Sequence, residues 1–305
     1  MNILITGAAG HIGSYLVDNF YRIKKVKKVF FVDNFCSQRF NIFFKLKKKN
    51  HFFLYRDLRN KDSLKDLKNI HLIIHLASMT NSEESLKLKN FYKKNNIKCF
   101  LNVLNYCVKN KSKLIHISST SIYNESSKNI EENIKNLKPK SPYSKIKLYE
   151  EKTLIKNNDR IKYTSLRFGT IVGVSRGMRF HTAVNKFCFN TIMRIPLPVW
   201  STAFNQYRPY LSIKDAFKTI KFIIEKDFFM NDSFNILTNN YRVKDIINLI
   251  KQSNFNPLIK KVKTKIMSLN SFHVSRKKIT SNGLQLSSSI KNDIKDLLLL
   301  FKYKK

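Results

Sequence analysis

Tyr143 and Lys147 stand four residues apart in SPYSKIKLYEE, a spacing that puts both on one face of a helix, one turn apart. A phenol with its usual pKa of about 10 is a poor base at neutral pH. A lysine ammonium beside it favours the phenolate and lowers that value. A serine hydroxyl close by, Ser119, can hold a substrate oxygen while the phenol removes or returns its proton. The spacing by itself proves little, because Tyr21/Lys25 and Tyr210/Lys214 share it in a lysine-rich chain. Tyr143 differs in its place: it begins a helical stretch 24 residues after Ser119.

The glycines single out a second set of residues. The 305-residue chain has seven, against an average usage of about 7%. So sparing a chain should keep glycine mainly where the backbone admits nothing else. Gly7, Gly10 and Gly13 fall in TGAAGHIGS, after the apolar run NILIT and before the helical stretch SYLVDNFYRIKK. Strand, glycine turn and helix form the context of a dinucleotide site. The first glycine permits the tight turn, the second lets a pyrophosphate approach, and the third allows close helix–strand packing. The helix start, with His11 and Ile12, offers free N–H groups to phosphate. Asp33 ends the next apolar run, twenty residues after Gly13 and followed by Asn34, where a carboxylate meets the adenosine ribose hydroxyls. Its charge favours NAD over NADP, a preference tempered by Arg39 nearby.

These residues need a scaffold that gathers them. Apolar strands follow at HFFLYRD (51–57), HLIIHLAS (71–78) and KLIHISS (113–119), separated by helical stretches, the clearest at 90–110. Near-continuous apolar strands alternating with helices imply an α/β fold, a Rossmann-type doubly wound parallel sheet covered on both faces. Ligands of such sheets bind outside the carboxyl ends of the strands, where Asp57, Ala77, Ser78, Ser118 and Ser119 fall. There an oxidised nicotinamide ring would support the Tyr143 phenolate and accept hydride as the proton leaves.

Composition narrows the class. The net charge is +38, from 58 basic and 20 acidic residues. Only twelve of the basic residues are arginine and the lysines are scattered, a poor match to the arginine-rich forks of base and phosphate recognition. Nucleic acid is therefore a disfavoured partner, and compositional drift explains the lysines. Cys36, Cys99, Cys107 and Cys188 are too widely spaced for a zinc site, so reduced thiols, no metal and a cytoplasmic setting are expected. Apolar runs such as LLLLF fall short of the ~20 residues of a membrane span, and the N-terminal residues show no export signal.

The chain resembles the extended short-chain dehydrogenase/reductase family, in its sugar-nucleotide epimerase and dehydratase branch, similar to UDP-glucose 4-epimerases. The segments that carry the resemblance are TGAAGHIGS, VDNF, RDL (56–58), HLAS (75–78), NIKCFLNVL (96–104), ISSTSIY (117–123), Tyr143 with Lys147, and LRFGTIVG (166–173). The resemblance implies NAD held by the glycine turn, Asp33, Asn34, Asp57, Leu58, Leu76, Ala77, Ser78, Asn96 and Lys147. It implies Ser119, Tyr143 and Lys147 as the catalytic group. In the family's dehydratases the residue at 119 is followed by Asp-Glu; here Thr120 and Ser121 stand there, which disfavours dehydration.

By the same resemblance, 1–168 is the NAD-binding unit and 169–305 is mainly a smaller α/β substrate-binding lobe, with a segment near 208–238 returning to the first unit. Gly169, Gly173 and Gly177 cluster in a loop where the regular alternation stops. Residues 232–252 read as strand, turn and helix, and Gly283 as a turn before a last amphipathic helix. Arg208 takes the place of a diphosphate-gripping arginine; Thr120, Thr170 and Asn185 are further substrate candidates, with Arg176 and Arg179 secondary. The stretches 90–110 and 143–157 resemble the helix pair through which relatives form homodimers. Ile97, Leu101, Leu104, Leu148 and Leu154 serve either that interface or an ordinary core.

The preferred function is an NAD-dependent epimerase of a nucleotide-activated sugar, acting by transient oxidation to a keto sugar and return of hydride. A keto-sugar reductase or alcohol dehydrogenase is the alternative within enzymes. A non-catalytic RNA- or polyanion-binding member of the superfamily is the alternative outside them.

Overall fold

The computed structural model describes residues 1–45, 49–123, 129–262 and 271–302. Its first strand, β1 (Asn2–Thr6), buries four of five side chains, as a strand covered on both faces should. There follow α1 (His11–Asn19), β2 (Lys28–Asp33), β3 (His51–Tyr55), β4 (Leu72–His75), α2 (Glu84–Lys87), α3 (Lys89–Asn110), β5 (Lys113–Ser119), α4 (Pro142–Ile155) and β6 (Tyr163–Phe168). The second half adds β7 (Thr170–Val172), α5 (Ala183–Ile192), β8 (Leu197–Trp200), β9 (Tyr207–Ser212), α6 (Ile213–Lys226), β10 (Asp232–Ile236), β11 (Asn239–Arg242), α7 (Val243–Lys251), β12 (Ile259–Val262), α8 (Lys277–Ser281) and α9 (Ile290–Phe301).

Seven strands form one sheet in the order β10-β6-β5-β4-β1-β2-β3. Every neighbouring pair is parallel, so the sheet is doubly wound and Rossmann-type. The chain leaves β1 in one direction to β2 and β3 and in the other to β4, β5 and β6. That reversal opens a crevice at the carboxyl ends of β1 and β4. In register, Thr6 lies between Val32 and His75, and Ser119 lies opposite Phe168. The strand ends with candidate site residues therefore share one edge.

Apolar side chains cover both faces. On one, Leu16, Val17, Phe217 and Ile220 from α1 and α6 pack on β1 and β6 residues such as Ile3 and Leu166. On the other, Phe100, Val103, Leu104 and Leu154 from α3 and α4 pack on Leu4, Ile73 and Leu114. Leu104 and Leu154 thus belong to this core, whereas Ile97, Leu101 and Leu148 remain partly exposed. A separate apolar cluster, with Val184, Phe187, Ile246, Ile250, Ile294 and Leu297, joins α5, α7 and α9. Beside it stand a three-stranded sheet, β11-β9-β7, and a two-stranded sheet, β12-β8. Within 208–238, β9 belongs to the three-stranded sheet while β10 pairs with β6. Within 232–252, read as strand, turn and helix, the structure adds a second strand, β11, whose polar residues pair antiparallel with β9.

The few glycines are kept mostly for want of space. Among the described residues, ten non-glycine residues, including Lys111, Asp227 and Asn254, have positive φ, against three glycines. A Cβ on Gly13 would lie 2.3 Å from the Gly7 carbonyl oxygen. Among the described residues, no helix is long and apolar enough to cross a membrane.

Candidate active site

The glycine turn follows β1 directly. Gly7 has φ +68°, and a Cβ there would come within 2.6 Å of the Ala77 nitrogen, so the turn nests against the end of β4. Gly10 is the N-cap of α1, with no side-chain cap and no acidic residue in the first turn. Unsatisfied N–H groups at a helix start attract an anion. His11 and Ile12 occupy that first turn, His11 buried and Ile12 packed against the first core. His11 Nε2 lies 2.8 Å from the Gly173 carbonyl oxygen, and burial holds the imidazole neutral with a pKa near about 3. The 173–177 loop is thereby fastened over the turn. Ser175 donates to the His11 carbonyl at 2.9 Å and Gly177 N–H donates to Ser14 Oγ at 2.8 Å.

Two arginines flank the turn. Arg179, partly buried, brings Nη2 within 3.6 Å of the position a Gly10 Cβ would take. Burial and the neighbouring Arg39 lower its pKa to about 10. Arg39 donates to the Gly177 carbonyl at 3.1 Å. The sequence could not separate Arg179 from Arg176, three residues earlier. In the structure Arg176 is spent on Asp18 and on the Asn41 and Ile42 carbonyls.

Asp33, at the end of β2, accepts the N–H groups of Ala9 at 2.9 Å and Phe35 at 2.8 Å. Asn34 accepts from Cys36 N–H. Asp57 lies two residues past β3, where Arg59 grips it at 2.5 Å and, as the main cause, brings its carboxyl down to about 2. Leu58 is buried in the second core with Ala77 against it, and Leu76 packs on the first. The Thr6 hydroxyl oxygen accepts the N–H groups of Leu76 and Ala77 at 3.2 Å, which sets the 76–78 turn. Ser78 Oγ donates weakly, at 3.4 Å, to the Met79 carbonyl. Asn96 makes a two-way clamp on Met79, accepting its N–H and donating to its carbonyl, both at 2.9 Å.

Ser119 ends β5 and accepts Ser121 N–H at 3.1 Å, which leaves its O–H to donate elsewhere. Ser118, Ser121 and Thr80 have buried hydroxyls with no partner among the described residues. Across from them α4 begins: Ser141 caps Ser144 N–H at 3.1 Å and Pro142 stands in the first turn. Tyr143 follows, buried, where the helix dipole favours an anion. Lys147 lies one turn on, 3% exposed, within electrostatic reach of Tyr143 and bonded to Glu150 at 2.8 Å. Arg179 also acts electrostatically on Tyr143, so two cations influence the phenol. Glu150 and its partner His116 are site residues that sequence reasoning missed; 34 residues separate them.

The substrate candidates are placed less uniformly. Thr120 donates to the Phe168 carbonyl at 3.3 Å. Asn185 is fully buried and holds the 173–179 loop through Gly173 N–H and the Arg179 carbonyl. Thr170 is half-buried on β7, opposite Tyr210. Arg208, half-buried on β9, donates to Gln206 at 2.8 Å and lies over the Phe272 ring at 4.9 Å. The structure thus gathers the cofactor and catalytic candidates along one sheet edge and turns Thr120 and Asn185 onto backbone.

Residues 3–236 match the model of the NAD dependent epimerase/dehydratase family. The chain belongs to that family. It is 29% identical over 249 residues to the uncharacterized UDP-glucose epimerase YtcB of Bacillus subtilis, covering 77% of this chain and 76% of that one. A mutant UDP-glucuronic acid 4-epimerase from Bacillus cereus, in complex with UDP-4-deoxy-4-fluoro-glucuronic acid and NAD, superposes with a TM-score of 0.89 at 25% identity over 99% of each chain. The dTDP-glucose 4,6-dehydratase DesIV of Streptomyces venezuelae has the same fold, with a TM-score of 0.89 at 18% identity over 99% of this chain and 97% of that one. NAD is the family's cofactor, and the site fits it: an uncapped α1 start, a turn where a Cβ on Gly7 or Gly13 would clash, and two arginines, Arg39 and Arg179, beside that turn.

Proposed function

We propose that the chain is an NAD-dependent epimerase of a nucleotide-activated sugar, and that it inverts one hydroxyl-bearing carbon by oxidation to a ketone and reduction from the other face. The observation that carries this reading is the buried Tyr143 at the start of α4, within the field of Lys147 and Arg179. In this reading Gly7, Gly10, Gly13, His11 and Ile12 form the phosphate cradle with Arg179. Asp33 and Asn34 take the ribose. Asp57, Leu58, Leu76, Ala77 and Ser78 line the remaining cofactor wall, and Asn96 fixes that wall through Met79.

NAD, when bound, supplies a reversible hydride acceptor. Tyr143 takes the sugar hydroxyl proton and later gives it back, Lys147 and the helix dipole lowering the cost of the phenolate. Ser119 donates its free O–H to the same oxygen. Arg208, Thr170 and Thr120 lie on the side where the nucleotide diphosphate and sugar would rest. Thr120 and Ser121 offer no carboxylate beside Ser119, which favours epimerisation over dehydration. The partly exposed Ile97, Leu101 and Leu148 and the exposed Phe91 and Tyr149 on α3 and α4 form the face proposed for a homodimer.

The test is to incubate the purified chain with UDP-, GDP-, CDP- and dTDP-sugars, with and without added NAD or NADH. Epimer formation without net consumption of cofactor supports the proposal. Stoichiometric consumption of NADH makes the protein a keto-sugar reductase. No turnover, with RNA affinity that survives ~200 mM salt, makes it a polyanion binder.

A further inference from the structure

Lys147 does not act on Tyr143 as an isolated charge. Its Nζ donates to Glu150 Oε2 at 2.8 Å, and His116 Nε2 lies 2.9 Å from the same oxygen. His116 Nδ1 is 2.9 Å from Ser165 Oγ, so the hydroxyl donates inward and the imidazole donates to the carboxylate. The side chains of Lys147, Glu150 and His116 are 3%, 1% and 0% exposed. Burial by itself would raise the Glu150 carboxyl, but Lys147 and His116 bring it down to about 2. The same pairing outweighs the burial of Lys147 and keeps its ammonium charged.

The chain of bonds ends at Ser165, which is fully buried, so it does not conduct a proton to water. Its effect is electrostatic. A carboxylate on the ammonium cancels much of the field that favours the phenolate. Arg179 adds a second cation near the phenol, and the remaining groups facing the cluster leave the balance at Lys147 to Glu150. Burial holds His75 on β4 neutral, with a pKa near about 3, and keeps the Cys99 thiol on α3 protonated up to about 12. Glu151 on α4 is neutralised by Arg167 on β6 in an ion pair at 2.7 Å. Lys147 spends one of three N–H groups on Glu150.

We propose that Glu150, fixed by His116, is a positioning residue that aims the Lys147 ammonium and partly neutralises it, so that Tyr143 is held less acidic than an unpaired lysine would make it. The inference rests on the reading of Tyr143 as the acid–base group.

The test is a near-ultraviolet titration of the 305-residue chain with saturating NAD. Each protein is compared with its Tyr143→Phe counterpart, so that a single phenolate is followed. Glu150→Gln keeps the shape and the hydrogen bonds but removes the charge. It should lower the midpoint of the Tyr143 signal by about one pH unit or more, and Glu150→Asp should lower it by less. An unmoved midpoint overturns the proposal. A parent chain whose Tyr143 titrates at the free value of about 10 overturns instead the reading of Tyr143 as the base, and this inference with it. If Glu150→Gln does not fold, Glu150→Asp decides: an unmoved midpoint there overturns the proposal equally.

Discussion

Replacing Arg179 by methionine should make the cofactor-free protein more stable while weakening its hold on NAD. The guanidinium stands beside Gly10, where burial and Arg39 bring its pKa from 12.5 to about 10. A folded value below the unfolded one means the charged form is disfavoured by folding. The cost is full below about 10 and fades as pH rises toward 12.5. At neutral pH its ceiling is about 3 kcal/mol, and the partial exposure of the side chain reduces it to about 1–2 kcal/mol. Methionine keeps the apolar stem and removes the charge, so the melting temperature without NAD should rise by roughly 2–6 °C. Hydrogen bonds to a charged group contribute about 1.5–3 kcal/mol, so NAD affinity should fall by about 10–100-fold. Thermal unfolding with and without NAD, paired with titration calorimetry, reads both changes. A variant that melts earlier without NAD, or that binds NAD as tightly as the parent, refutes the reasoning.

Three further outcomes follow from packing and charge. Gly13→Ala places a methyl 2.3 Å from the Gly7 carbonyl oxygen; calorimetry should show NAD affinity lowered by about 5–150-fold, from overpacking of about 1–3 kcal/mol. Glu151→Gln leaves Arg167 buried without its carboxylate, and denaturant unfolding should register a loss of about 3–5 kcal/mol. A loss below about 1 kcal/mol would place that pair among ordinary surface contacts. Asp293 is buried on α9 with one oxygen unpartnered among the described residues, and burial raises its carboxyl to about 6. Its folded value lies above the unfolded one, so the carboxylate destabilises the fold above about pH 6, and that cost is relieved as pH falls toward 3.8. Asp293→Asn should therefore stabilise the protein by up to about 3 kcal/mol at neutral pH, with no gain at pH 4, as thermal unfolding across that range would show.

Where chemistry is written in short spacings, the sequence is readable. The turn at Gly7, Gly10 and Gly13, the carboxylate at Asp33 and the pair Tyr143/Lys147 each lie within one strand–turn–helix step, so local periodicity finds them. The alternation of apolar strands and helices gives the sheet for the same reason. Contacts made by folding are hidden. Glu150 meets His116 only because α4 lies on β5, and nothing near either residue marks the other. Arg176 and Arg179 differ by one loop's path, which sends one to Asp18 and the other to Gly10. The polar run at 239–242 becomes a strand through pairing with β9 rather than through its own propensity. Thr120 and Asn185 have the right chemistry for a substrate, yet local backbone claims their polar atoms.

The whole mechanism depends on one phenol, and Tyr143→Phe tests it most directly. Turnover of whichever nucleotide sugar the parent accepts is measured together with NAD binding by calorimetry. The account predicts turnover lower by about 10²–10⁴-fold with unchanged NAD affinity. Turnover near the parent's rate would contradict it.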